Sequence, residues 1–184
     1  VELVTAIVFV VLYSTIFLEF GFTFVAVGSF VGAAVASAFL IVIAIYDFRH
    51  KIIPDKIVYP FIALAFVSII WKTIFVPGTL PTPFILAGPV LAAPFFLIWF
   101  ISGGKAMGFG DVKLALGMGW FLGISASITA FLLSFWIGAV VGLFMIALSN
   151  AKLKSQIPFA PFLILAFFIV SSLGVTIQTL FPIW

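Results

Sequence analysis

The sequence predicts an all-α, polytopic transmembrane helix bundle with about seven spans. Three observations carry that prediction: the composition, a series of apolar runs, and the placement of charge between those runs. Of the 184 residues, 66% are hydrophobic and only 7% are charged, and the mean hydropathy is +1.48. A soluble domain carries about 25% charged residues, so this chain cannot cover a globule with polar surface, and the bilayer must be its solvent.

A spanning helix needs about 20 apolar residues at 1.5 Å rise each. Apolar runs occupy residues 3–18, 24–46, 57–75, 82–101, 112–123, 126–149 and 158–181. The second, fourth, sixth and seventh are long enough to span without further argument. The first is short, and the fifth is shorter and broken by Gly117, Gly119 and Gly123, so it is expected to be a short or partly re-entrant helix. Gly28, Gly32 and Ala36 recur at helical spacing, as do Gly138 and Gly142; small residues in such register let helices approach closely in lipid. Pro89 and Pro94 fall inside the fourth run, where they should kink the helix and free carbonyls for other partners.

Charge orients the bundle. Arg49, Lys51 and Lys56 lie between runs two and three, Lys105 and Lys113 near the start of run five, and Lys152 and Lys154 between runs six and seven. With seven crossings these loops share one side, leaving Lys72 alone opposite. The positive-inside rule makes the shared side cytoplasmic, with the N-terminus inside and the C-terminus outside. Counting residues 112–123 as a full crossing is what keeps Lys152 and Lys154 on that side.

Several functions are excluded by what the chain lacks. It has no cysteine and one histidine, His50, so disulfides, thiolate chemistry and a histidine-built metal site are out. The net charge of +3 is scattered between apolar runs and offers no nucleic-acid surface. Nothing at the start has the basic opening and small-residue exit of a cleavable signal peptide.

Only five residues are acidic. Glu2 and Glu19 flank the first run and read as interfacial. Asp47 stands at the cytoplasmic end of the second run, where the helix dipole disfavours an acid. Asp55 follows Ile53-Pro54 just ahead of the third run, and Asp111 closes Gly108-Phe109-Gly110-Asp111 at the start of the fifth. Both stand where a helix N-cap would stand, and solvation or capping would account for either one alone. Together, Asp47 and Asp111 lie at the same cytoplasmic depth. Two carboxylates at close range cannot both ionise easily, so one can activate water while the other protonates a leaving nitrogen. The glycines ahead of Asp111 free its backbone to approach a neighbouring helix or an extended substrate.

Three segments resemble the catalytic domain of the type IV prepilin peptidases, membrane aspartic proteases of the Gly-x-Gly-Asp class. They are Asp47-Phe48-Arg49-His50-Lys51-Ile52-Ile53-Pro54-Asp55, Met107-Gly108-Phe109-Gly110-Asp111-Val112-Lys113-Leu114 and Ile157-Pro158-Phe159-Ala160-Pro161-Phe162. The resemblance implies Asp47 and Asp111 as the catalytic pair. It makes Pro54, Asp55, Gly108, Gly110, Lys113, Pro158 and Pro161 motif positions with structural or substrate-contacting roles. Asp55 is expected to orient its loop and cap the third helix, and Lys113 to balance charge or contact substrate. Ala160 stands where the family has glycine, which questions how tightly that backbone can pack.

The implied reaction is removal of a short basic leader from prepilins or pseudopilins, cut after a glycine at the edge of their apolar helix. It needs no cofactor and no metal. The implied partners are prepilin-like proteins and the lipid bilayer, and the setting is the cell membrane of a pilus or protein-secretion system, with the site toward the cytoplasm. Val1-Glu2-Leu3-Val4-Thr5 resembles the family's join into its peptidase half. Residues 1–184 are therefore expected to form one transmembrane peptidase domain without the cysteine-bearing N-terminal methyltransferase portion, as a peptidase-only member or a piece of a longer chain. A presenilin-like intramembrane protease shares Tyr46-Asp47 and Gly-x-Gly-Asp, but its Pro-Ala-Leu motif is missing. A proton- or cation-coupled transporter would use the same acids without cleavage.

Overall fold

A computed structural model describes residues 2–149, 158–174 and 176. Seven helices follow one another among these residues: α1 (Glu2–Phe20), α2 (Phe24–His50), α3 (Asp55–Phe75), α4 (Pro81–Ser102), α5 (Phe109–Leu122), α6 (Ile124–Ser149) and α7 (Ala160–Leu173). There is no strand among them. Four helices, α2, α3, α4 and the stretch of α6 through Met145, are long and apolar enough to cross a membrane. Lys152, Lys154, Ile157 and the end of the seventh expected span lie outside the described residues.

Each apolar run became one helix, with shifts at the ends that matter for function. α2 continues past residue 46 to His50, so Asp47 sits in its last turn. α3 begins at Asp55 and α5 at Phe109, each earlier than the apolar run alone implies. Charged residues were thereby taken into the helix ends instead of being left in loops. Helix ends tolerate them, because the ends carry unpaired backbone groups and reach the polar interface.

The short α5 is the centre of the bundle. Its 14 residues span only about 21 Å at 1.5 Å each, yet Leu114, Ala115 and Met118 are fully buried. It packs most extensively on α4 and α3 and also touches α6 and α7. Its glycines explain the close fit. A Cβ at Gly119 would run into the backbone of Ala87 and Gly88 on α4, and one at Gly117 would meet the Phe61 ring of α3 at 2.6 Å. These residues shape a helix interface as well as shortening a helix. Gly28 is filled by the indole of Trp71, whereas Gly32 has open space where its side chain would be. The small-residue stripe on α2 therefore does not pack uniformly.

α4 runs unbroken through Pro89 and Pro94. Proline at position 89 leaves the carbonyl of Ile85 without its helical donor. The indole Nε1–H of Trp120 on α5 donates to that carbonyl at 3.1 Å. Gly88, next to the proline, leaves room for the same indole. The freed carbonyl thus joins α4 to α5 rather than facing a polar cavity. At the far end of α5, the Lys72 amine of α3 donates to the Phe121 carbonyl at 2.8 Å, one of the last carbonyls that an α-helix cannot pair internally.

The outward faces are apolar. Leu18, Phe22, Phe100, Ile101 and Leu143 are among the large side chains left exposed. In water such a surface would aggregate; in lipid it is ordinary.

Candidate active site

Three helix ends meet at one end of the bundle: the last turn of α2, the first turn of α5 and the first turn of α7. α2 stops because Lys51 takes a left-handed conformation with φ 56°, its N–H donating to the Asp47 carbonyl at 2.7 Å. Lys51 is the one non-glycine residue with positive φ among the described residues. Such a conformation costs a side-chain-bearing residue about 1–2 kcal/mol, and here it reverses the chain within four residues. Ile53 and Pro54 then lead into α3, with Pro54 extended ahead of its first turn.

Asp47 and Asp111 are among the few buried polar residues, 5% and 9% exposed. The backbone N–H of Ala160 donates to the Asp47 carboxylate, and the N–H groups of Gly108 and of Asp111 itself reach the Asp111 carboxylate. Each acid keeps one buried oxygen, Oδ2 of Asp47 and Oδ1 of Asp111, without a hydrogen-bond partner among the described residues. The charge of Asp47 acts on the Asp111 carboxylate, which places the two acids within electrostatic reach at this end of the bundle. Asp47 lies at the negative end of its own helix. The first turn of α7 offsets this by presenting the Ala160 N–H, and Asp111 sits in the favourable first turn of α5.

The glycines of the second motif act by close approach. Gly108 has ordinary extended backbone, φ −76°. A Cβ on Gly110 would come to 2.8 Å from Cβ of Ile53, so the Ile-Pro-Asp turn and the Gly-x-Gly-Asp turn are in contact through this pair. That contact seats the turn after α2 against the start of α5. Ile53 belongs to the quoted motif, but nothing in its residue type or spacing marks it as the residue Gly110 must accommodate.

The capping role expected of Asp55, and weighed as the alternative for Asp111, is not what the structure contains. Pro54 and Gly108 occupy the N-cap positions, with no side-chain cap bond, while Asp55 is the first residue of α3 and Asp111 the third of α5. Asp55 instead accepts from the Lys113 amine at 2.6 Å. That amine also lies 4.8 Å from the Tyr59 ring centre and 5.5 Å from that of Phe109. Asp55 and Tyr59, one turn apart on α3, therefore grip Lys113 from α5. Tyr59 was not singled out in the sequence; its position one helical turn after Asp55 was the available signal. Lys113 has its charge partner in Asp55, on the opposite face of α5 from the buried acids.

Pro158 precedes the turn into α7, and Pro161 lies within its first two positions, where the missing N–H costs nothing. Ala160 is wholly buried and has no positive φ. The site thus accommodates the methyl group that stands in place of glycine. Among the described residues no three His, Asp or Glu side chains cluster as metal ligands.

The fold and this site define a polytopic, all-α membrane protein with two buried carboxylates, Asp111 within electrostatic reach of Asp47. A family model described as the type IV leader peptidase family matches residues 34–143, and the chain belongs to that family. It is 29% identical over 143 residues to a prepilin leader peptidase/N-methyltransferase of Xanthomonas campestris, covering 76% of this chain and 48% of the relative. A protein of the same name from Pseudomonas aeruginosa is 29% identical over 127 residues, 69% of this chain and 44% of the relative. One from Aeromonas salmonicida is 27% identical over 173 residues, 90% of this chain and 54% of the relative. The chain spans about half the length of the curated relatives it matches. No solved structure matches it.

Proposed function

We propose that the chain is a membrane-embedded aspartic endopeptidase that removes leader peptides from type IV prepilins or pseudopilins at the cytoplasmic membrane face. The single observation that carries the aspartic assignment is the buried Asp47–Asp111 pair, each with one oxygen unpartnered among the described residues, and Asp111 within reach of the Asp47 charge. Family membership supports leader-peptide processing, and the basic residues flanking this end of the bundle support a cytoplasmic site.

The chemistry follows from two carboxylates in one low-dielectric site. One, ionised, takes a proton from water; the resulting nucleophile attacks the scissile carbonyl; the other, protonated, gives its proton to the departing nitrogen. The backbone donors at Ala160 and Gly108 hold the carboxylates in place through the cycle. We assign this peptidase step to residues 1–184 and Asp47 and Asp111 as the catalytic residues, with Gly108, Gly110, Pro54, Asp55, Lys113, Pro158 and Pro161 as positioning residues.

The acids lie at a helix-end level, so the bond cut should lie where a substrate's polar leader meets its apolar helix. A glycine there resists helix formation and leaves the peptide extended. The test is cleavage of a leader-plus-helix peptide in lipid nanodiscs, with products located by mass spectrometry. Cutting after the junction glycine, and its loss when that glycine becomes leucine, is the expected outcome. Cutting deep within the apolar helix, or indifference to the leucine, contradicts the proposal.

A further inference from the structure

At the opposite end of the bundle from the acids, a cavity of about 570 Å³ lies between α1, α2, α3 and α7, with α4, α5 and α6 also contributing to its walls. The walls are largely apolar, including Leu64, Ala36 and Phe167, with scattered hydroxyls such as Ser37 and Ser68, and Lys72 brings to them the one charged side chain among the described residues. Lys72 is three residues from the end of α3, where a lysine would ordinarily extend outward into the headgroup region. Here it turns inward. One N–H goes to the Phe121 carbonyl at 2.8 Å, and the amine lies 4.6 Å from the Phe84 ring centre. No carboxylate pairs with it among the described side chains; the neighbouring Trp71 packs its indole into the gap at Gly28, with Nε1 buried and without an acceptor among the described residues. An ammonium with no carboxylate partner among the described side chains, at headgroup depth and beside an apolar space, complements an anionic head with a hydrocarbon chain beneath it.

We propose that this cavity binds an anionic phospholipid of the surrounding bilayer. The phosphate sits against Lys72, and one acyl chain fills the space beside Gly32. The proposal is independent of the peptidase reading, and its test does not use cleavage. The protein is placed in nanodiscs holding equal amounts of phosphatidylglycerol and phosphatidylcholine with identical chains, then released for native mass spectrometry. Wild type is expected to retain phosphatidylglycerol preferentially. Lys72→Met should lower that preference by roughly fivefold, the effect of one basic residue near an anionic head group. Gly32→Phe enters open space, since nothing lies within 4 Å of a Cβ there; it should displace the acyl chain while leaving Lys72 in place. Because Lys72 also holds the end of α5, Gly32→Phe decides the matter should Lys72→Met not fold. Unchanged phosphatidylglycerol retention in Gly32→Phe, equal retention of the two lipids by wild type, or displacement of the lipid by inorganic phosphate alone would overturn the proposal.

Discussion

Gly110 shows how a motif residue can be fixed by a contact rather than by a backbone angle. Its missing side chain lets Ile53 approach to where a Cβ would be only 2.8 Å away. That neighbour is a Cβ next to the backbone and cannot swing aside, so Gly110→Ala must shift the 51–54 turn or the first turn of α5. Leader-peptide cleavage should fall at least about tenfold, since small misplacements of catalytic groups are costly. Gly32→Ala, with open space around it, should leave cleavage unchanged. Equal activity in both variants would remove the steric account. Asp55 gives the complementary case. It is more than half exposed and holds Lys113 through a single ion pair, an arrangement worth at most about 1 kcal/mol. Asp55→Asn should therefore reduce activity without abolishing it, with little change in thermal stability. Complete loss in a well-folded variant would place Asp55 among the catalytic residues.

At the scale of the helix, the apolar runs alone located all seven elements, because in lipid a run of that length has few alternatives to helix. Their ends were harder to read. Hydropathy falls at Asp47, Asp55 and Asp111, although the backbone remains helical at each. Reading Asp55 and Asp111 as caps was reasonable from residue type, but Pro54 and Gly108 take those positions. The sequence could not show what receives the Ile85 carbonyl freed by Pro89, since that needs Trp120, 35 residues further on in another helix. Trp120→Phe keeps the ring packing and removes the donor, and should cost about 0.5–1.5 kcal/mol in reversible unfolding. A neutral result would mean that the bond contributes nothing. Lys51 provides a test of opposite sign. Glycine accepts its φ of 56° without penalty, so Lys51→Gly should stabilise the fold by about 1 kcal/mol. Destabilisation would indicate that the lysine side chain holds the turn.

For the whole molecule, the bundle serves to bring together two acids 64 positions apart, one ending α2 and one beginning α5. Both acids were legible in the sequence as candidates, one at each of two helix ends. The sequence could not reveal that the first turn of α7 supplies an N–H to Asp47 through Ala160, because that depends on how three helix ends converge. The most direct measurement is single-turnover cleavage of a leader peptide in nanodiscs by wild type, Asp47→Asn, Asp111→Asn and the double variant. Asparagine preserves volume and hydrogen bonding but cannot exchange the proton. If the two carboxylates act as one unit, each single variant should fall to the rate of the double, by at least about a thousandfold, while thermal unfolding shows all four folded. Substantial cleavage by either single variant, or losses that simply multiply in the double, would contradict the shared catalytic pair.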